Sequence, residues 1–176
     1  VGGMTTRPVV RMNTLWTVDA NGRIRLEMDC EKSPEYLMIP RFGLRLFLSD
    51  TMKTVKYCGI GPCESYSDKH HAGYYGRFDT TVADLHEDYL RPQENGSHCG
   101  CDYLSVSGGE HMLTIVAPES TFSFNASEYT QEELTEKAHN YELEPSGYTV
   151  LCLDHAQNGI GSNSCGPELN PRYAMP

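Results

Sequence analysis

The chain has 176 residues, a length that fits one large domain or two small ones. Its 24 acidic and 14 basic residues give a formal charge of −10, which argues against nucleic acid or an anionic membrane as partner, because both would be repelled. Apolar residues make up 39% and aromatics 10%, too many for a disordered chain, and no apolar run approaches the ~20 residues of a membrane span.

The start, Val1-Gly2-Gly3-Met4, has neither the basic end nor the apolar stretch of a signal peptide, so a processed or excised piece of a longer protein is expected. Arg7 to Val18 then reads as a strand. Asp19-Ala20-Asn21-Gly22 reads as a hairpin turn, with Asn-Gly supplying the positive φ such turns demand. Arg23 to Met28 alternates with period two, which turns Ile24, Leu26 and Met28 to one side. Leu44–Leu48 and Thr54–Cys58 repeat the pattern, and Leu113–Val116, Phe122–Asn125 and Tyr148–Leu153 follow. This spacing of short strands predicts an all-β sandwich.

One segment differs. Thr130-Gln131-Glu132-Glu133 is a capping box, in which Thr130 accepts from the Glu133 backbone and the Glu133 side chain reaches back. Leu134, Ala138 and Tyr141 follow at helical spacing, so one helix is predicted over 130–140. Tyr66 to Asn95 is long, polar and aromatic, with only short regular pieces expected; loops of that length are commonly functional. No repeat and no linker interrupts the chain, which reads as one domain, 1–176.

There are seven cysteines, and an odd count cannot pair completely within one chain. Cys30, Cys58, Cys101 and Cys152 lie in or beside apolar runs, where a thiol behaves as a small buried hydrophobe. Free thiols imply a reducing compartment, hence the cytoplasm, and the Asn-x-Ser triplets at Asn95 and Asn125 do not change that.

Residue type and spacing suggest three kinds of chemistry. His98-Cys99-Gly100-Cys101 and His70-His71 suggest zinc, but Cys-x-Cys is poor geometry for a closed tetrahedron, and adjacent histidines on extended chain point to opposite faces. No Gly-x-Ser-x-Gly elbow is present. The loop Ser162-Asn163-Ser164-Cys165-Gly166-Pro167 is small and polar, and Gly159 and Gly161 let backbone approach a ligand closely; Cys165 could be a nucleophile, although a tight loop closing a strand explains it more simply. Glu64, Asp68, Asp79, Asp84, Glu87, Asp88 and Glu94 crowd the long segment, where solvation or pairing with Arg77, Lys69 or Arg91 explains most of them better than a glycosidase carboxylate pair.

Four motifs in fixed order make the reading specific. They are Gly59-Ile60-Gly61-Pro62-Cys63-Glu64-Ser65-Tyr66-Ser67-Asp68-Lys69, Tyr89-Leu90-Arg91-Pro92-Gln93-Glu94-Asn95-Gly96, Tyr129-Thr130-Gln131-Glu132-Glu133-Leu134, and Asn158-Gly159-Ile160-Gly161-Ser162-Asn163-Ser164-Cys165-Gly166-Pro167. From about Arg11 to Pro167 the chain resembles the C-terminal domain of the large bacterial β-galactosidases, family 2 glycoside hydrolases, which also occurs as a separate small chain.

The resemblance implies a β-sandwich of the galactose-mutarotase-like (supersandwich) type with one short helix, present here as an incomplete domain whose open sheet edges favour self-association. It implies a retaining enzyme for terminal β-D-galactosides such as lactose, whose two catalytic glutamates belong to a TIM-barrel domain or large subunit outside this chain. No catalytic residue is therefore expected here. The family's Mg²⁺ and Na⁺ would belong to the complete enzyme, with no metal ligand assigned in this segment. The loop 162–167 would lie near the active-site mouth, with Cys165, Asn163 and Ser164 facing substrate; Cys165 stands where the best-known relatives carry a Trp platform. Gly59, Gly61, Pro62 and Gly96 are expected to fix turns. Tyr66, Tyr89 and Arg91 are expected to tie the long segment to the sandwich, and Trp16 to serve packing. Two other readings are a stand-alone carbohydrate-binding sandwich and an aldose-mutarotase-like isomerase using His70, His71 or His86 with a glutamate.

Overall fold

The structure, a computed structural model, describes residues 8–36, 38–117, 119–161 and 167–175. Its contacts divide into two compact units, residues 1–39 and 40–176.

The first unit is a hairpin of β1 (Val10–Val18) and β2 (Ile24–Lys32), in register from Val10 opposite Lys32 to Val18 opposite Ile24. Alternation places Met12, Trp16 and Val18 beside Cys30, Leu26 and Ile24 on one face, and Arg11, Asn13 and Thr17 beside Glu31, Asp29 and Arg25 on the other. The turn closes with Gly22 alone at positive φ, +76°, while the Asp19 carboxylate accepts from the Asn21 and Arg23 N–H groups at 2.8 and 3.0 Å. Trp16 is not enclosed by packing: it lies opposite Leu26 on the apolar face and is 53% exposed. Cys30 is likewise exposed, because the apolar face it shares is covered by nothing in the hairpin itself.

The second unit contains β3 (Arg41–Ser49), β4 (Thr54–Gly61), β5 (Tyr74–Thr81), β6 (Ser97–Cys101), β7 (Tyr103–Gly108), β8 (His111–Val116), β9 (Phe122–Ser127), the helix α1 (Gln131–Glu136) and β10 (Tyr148–Gln157). They form two four-stranded antiparallel sheets, ordered β3-β10-β9-β6 and β5-β4-β7-β8. Val55 and Tyr57 of β4, Leu104 and Val106 of β7, Phe124 and Ala126 of β9 and Leu151 of β10 meet in one buried core. Each large apolar side chain fully buried in this way contributes about 1.5–3 kcal/mol. This is the all-β sandwich that the strand spacing predicts.

The long segment is more regular than its composition suggests. Tyr74 to Thr81 pairs with all of β4, Gly76 opposite Gly59. It is an edge strand with only Gly76, Phe78 and Thr80 half-buried, so its sequence shows little apolar alternation. The helix is shorter than predicted. Thr130 Oγ1 accepts from the Glu133 N–H at 3.1 Å, but the Glu133 carboxylate does not complete the box; it accepts from the Glu144 N–H at 2.8 Å. Lys137 is already extended, and the Glu142 carboxylate captures the N–H groups of Ala138 and His139, starting a separate 3-10 turn at Asn140–Glu142. Leu134 is buried, whereas Tyr141 is exposed.

Gly59 and Gly61 lie within β4 and not in turns. A Cβ on Gly59 would sit 2.3 Å from the Cys101 sulfur, and one on Gly61 would sit 2.1 Å from the Tyr57 hydroxyl. They are glycines because other side chains occupy their space.

Candidate functional site

The motif Gly59–Lys69 leads out of β4 into a tight turn in which Tyr66 and Lys69 exchange backbone hydrogen bonds of 2.8 and 3.0 Å. Glu64 is the hub beside this turn. Its side chain is 4% exposed, and it accepts from Lys69 Nζ, from the Tyr89 hydroxyl and, at 2.8 Å, from the Gly96 N–H. Lys69 Nζ also donates to the Tyr89 oxygen at 2.7 Å. Burial opposes ionisation of Glu64, but these three donors outweigh it and hold the carboxyl below the usual glutamate range. The pairing of a carboxylate with Lys69 is realised here; Tyr66 is buried, and Tyr89 donates to Glu64. Arg91 is exposed, as is Arg77; Asp79 pairs instead with Lys56 and Glu94 with Arg41.

A second polar cluster sits where β10 slips register against β3 between Asp154 and Ala156. Arg41 Nε and Nη2 donate to the two Asp154 oxygens, each at 2.7 Å, and Nη1 donates to Glu94 at 3.0 Å. Burial works against the Arg41 charge, yet the Asp154 hydrogen bonds and the Glu94 and Asp154 charges raise its affinity for the proton. Burial pushes the Glu94 carboxyl up, only partly offset by Arg41. A perturbed acid can mark a functional site, but an ion-pair network produces the same signature.

The third cluster joins two motifs distant in sequence. Asp68 Oδ1 accepts from the Ile160 N–H at 3.0 Å and Oδ2 from the Gly161 N–H at 2.8 Å. A Cβ on Gly159 would fall 2.4 Å from the Asp68 carboxyl carbon. The close approach that glycine permits at this position is therefore to Asp68. Gly161 has φ +59°, and the Gly159 N–H donates to the Tyr173 carbonyl at 3.0 Å. Asp68 and Ile160 line a cavity of about 380 Å³ with Pro167 and Tyr173. Lys69, His70 and His71 line a neighbouring cleft of about 530 Å³ with Glu64 and Tyr89. Asn163, Ser164 and Cys165, the residues expected to face substrate, lie outside the described residues.

The soft-ligand candidates are spread apart in role. His70 and His71 do not point to opposite faces; their rings stack at 4.6 Å. His98 is buried between Tyr57 and Phe124, at ring distances of 4.7 and 5.3 Å. Burial depresses its pKa, and its Nδ1 lies 3.1 Å from the Ile60 carbonyl, which can only accept, so Nδ1 carries the proton. A bulge with Gly100 at φ +66° breaks the alternation expected of Cys99 and Cys101. His86 faces Asp88 at 3.5 Å, and among the described residues none of the three isomerase-candidate histidines forms an ion pair with a glutamate. Among the described residues no group of three or more His, Cys, Asp or Glu side chains is placed to hold a metal ion. Both Asn-x-Ser asparagines, Asn95 and Asn125, are buried, and their amides are engaged in hydrogen bonds.

The family model described as "Beta galactosidase small chain" matches residues 2–176. The chain belongs to the β-galactosidase small-chain family. It is 46% identical over 167 residues to the β-galactosidase of Actinobacillus pleuropneumoniae, covering 95% of this chain and 16% of that protein. The β-galactosidase of Staphylococcus xylosus is 45% identical over 168 residues, covering 96% of this chain and 17% of the relative. That of Kluyveromyces lactis is 34% identical over 164 residues, covering 91% and 16%. The chain thus spans about one sixth of the length of the curated relatives it matches. Sequence reading missed Asp68 as a linker of motifs; the signal was its place in the first motif together with the Gly-x-Gly of the last, whose spatial meeting no spacing reveals.

Proposed function

We propose that this chain is the non-catalytic part of a retaining β-galactosidase that hydrolyses terminal β-D-galactosides such as lactose. The observation that carries the reading is the family match across nearly the whole chain, to relatives about six times longer. Cleavage with retention needs two carboxyl groups flanking one glycosidic bond. The carboxylates here have other work: the buried Glu64 binds Lys69, Tyr89 and Gly96, the buried Asp154 and half-buried Glu94 bind Arg41, and the half-buried Asp68 binds Ile160 and Gly161. An ionised Glu64 has no proton to give a leaving group. The two catalytic glutamates would come from a TIM-barrel domain or large subunit, and this chain would frame the barrel mouth through segment 162–167, with Asn163, Ser164 and Cys165 toward substrate. Mg²⁺ and Na⁺ would be held in that larger part. The six described cysteines are free, which supports a cytoplasmic setting.

Assay of a chromogenic galactoside tests the reading. The purified chain alone is expected to be inactive, and activity is expected when the remainder of the enzyme is supplied. Hydrolysis by the chain alone would refute it.

A further inference from the structure

We propose that Asn21-Gly22, in the turn between β1 and β2, is a site of self-catalysed covalent modification, where the side-chain amide becomes an aspartyl or isoaspartyl linkage. The step is internal to the chain. Base removes the proton from the Gly22 backbone nitrogen, which attacks the carbonyl carbon of the Asn21 side chain. A nitrogen–carbon bond forms, the bond from that carbon to the amide nitrogen breaks, and the nitrogen takes up a proton and leaves as ammonia. Water then opens the cyclic imide. Addition at the side-chain carbonyl gives aspartate; addition at the main-chain carbonyl gives isoaspartate, in which the backbone runs through an extra carbon.

The sequence offers three such steps, Asn21-Gly22, Asn95-Gly96 and Asn158-Gly159. In each, glycine leaves the attacking nitrogen unshielded by a side chain. The fold separates them. Asn95 is 4% exposed; its amide donates to the Gln93 carbonyl at 2.9 Å and accepts from the Glu87 N–H at 3.0 Å. The nitrogen that would attack, that of Gly96, donates to the Glu64 carboxylate at 2.8 Å. Asn158 is half-buried; its side-chain oxygen accepts from the Met175 N–H at 2.6 Å, and the Gly159 N–H donates to the Tyr173 carbonyl at 3.0 Å. A Cβ on Gly96 would lie 2.3 Å from the Leu85 carbonyl oxygen and one on Gly159 2.4 Å from the Asp68 carboxyl carbon, so both glycines are packed against neighbours.

Asn21 has none of this protection. It is exposed, no hydrogen bond holds its side chain among the described residues, and a Cβ on Gly22 would meet nothing within 4 Å. The attacking nitrogen is restrained by a single exposed turn bond, from the Gly22 N–H to the Asp19 carbonyl at 3.1 Å. Breaking it is a local opening, whereas freeing Gly96 means disrupting the buried Glu64 hub. Conversion acts on the hairpin. It adds a negative charge close to the Asp19 carboxylate, which the Arg23 and Asn21 N–H groups already keep ionised. The extra backbone carbon of isoaspartate lengthens the turn that sets Val18 opposite Ile24.

The test incubates the full chain in mildly alkaline buffer, folded and in urea, and reads conversion at the three asparagines by peptide mass spectrometry, with electron-based fragmentation separating isoaspartate from aspartate. In the folded chain, Asn21 is expected to convert about tenfold faster than Asn95 or Asn158, and in urea the three rates are expected to converge. Asn21→Gln, whose longer side chain closes a ring less readily, is expected to lose the signal at this position. Hydrogen exchange in β1 and β2 is expected to be faster in the aged parent than in the aged variant, with β4 and β7 unchanged. Equal conversion at the three sites in the folded chain, or faster conversion at Asn95 or Asn158, would overturn the proposal. So would a lead for Asn21 that persists undiminished in urea, because the preference would then come from local sequence and not from the fold.

Discussion

Arg41 grips Asp154 through two parallel hydrogen bonds of 2.7 Å at the point where β10 slips its register against β3. The Asp154 side chain is 2% exposed, and Gly43 stands opposite it because a Cβ there would meet the Leu153 carbonyl at 2.2 Å. The fork, the bulge and the glycine are one arrangement. Arg41→Ala would leave Asp154 buried and unpaired, and removing one partner of such a pair costs about 3–5 kcal/mol. Arg41→Lys cannot supply the bidentate fork and is expected to recover only part of that. Urea denaturation of the complete enzyme, followed by a probe in this domain, checks both.

Glu64 makes stability depend on acid in a definite direction. Its carboxyl is held below the ordinary value of 4.5, so the folded state binds fewer protons than the unfolded state as pH falls. The stabilisation is fully present above that value and is lost as pH drops through the depressed one. Glu94 works the opposite way, since burial raises it. Comparison of the parent with Glu64→Gln removes that background. The variant is expected to be less stable by about 1–3 kcal/mol at neutral pH, the usual cost of a charged hydrogen-bond partner lost from a buried site. The gap is expected to narrow below pH 4.5. Thermal denaturation of both proteins between pH 3 and 7 measures it; a gap that widens toward low pH would contradict the account.

The central strands were legible from sequence: the Val55 region carries apolar residues at period two, and the Val150 region is a continuous apolar run. Tyr74–Thr81 was not, because an edge strand needs no continuous apolar face. The helix was legible at Thr130, where a hydroxyl caps locally, but not at its end, where Glu142 from beyond the helix captures two N–H groups. The same division holds at the site. Glu64 and Lys69 are five residues apart, and their pairing was foreseen; Asp68 and Gly161 are 93 apart, and nothing local in either motif announces the other.

Thiol chemistry separates the cysteines by burial. Cys101 is fully enclosed, and burial pushes its thiol well above the ordinary range; burial likewise pushes Cys152 up to about 11. The thiolate is the reactive form, so both are expected to resist alkylation until the fold opens. Cys30 and Cys63 are exposed. Mass spectrometry after brief iodoacetamide treatment of the isolated folded chain is expected to find label on Cys30 and Cys63 and none on Cys101 or Cys152. Equal labelling of Cys101 under native conditions would show that the core around Gly59 is not closed.

The hairpin makes a prediction about association. Met12, Trp16, Val18 and Ile24 are all at least 46% exposed on one face of a two-stranded ribbon. A two-stranded hairpin is marginal by itself and gains stability when a third strand or another layer covers its apolar side. The opposite face carries Arg25, Glu27 and Asp29 and, as its one exposed large apolar side chain among the described residues, Leu15. Another copy offers apolar cover to this face at high concentration, so size-exclusion chromatography of the isolated chain is expected to show a species larger than the monomer that grows with concentration. Trp16→Lys with Ile24→Lys places charge on that face, and is expected to return the chain to a monomer while leaving the thermal transition of the sandwich within about 0.5 kcal/mol of the parent, the range of surface substitutions. A parent chain that stays monomeric across the whole concentration range would mean that the apolar face is satisfied within one copy.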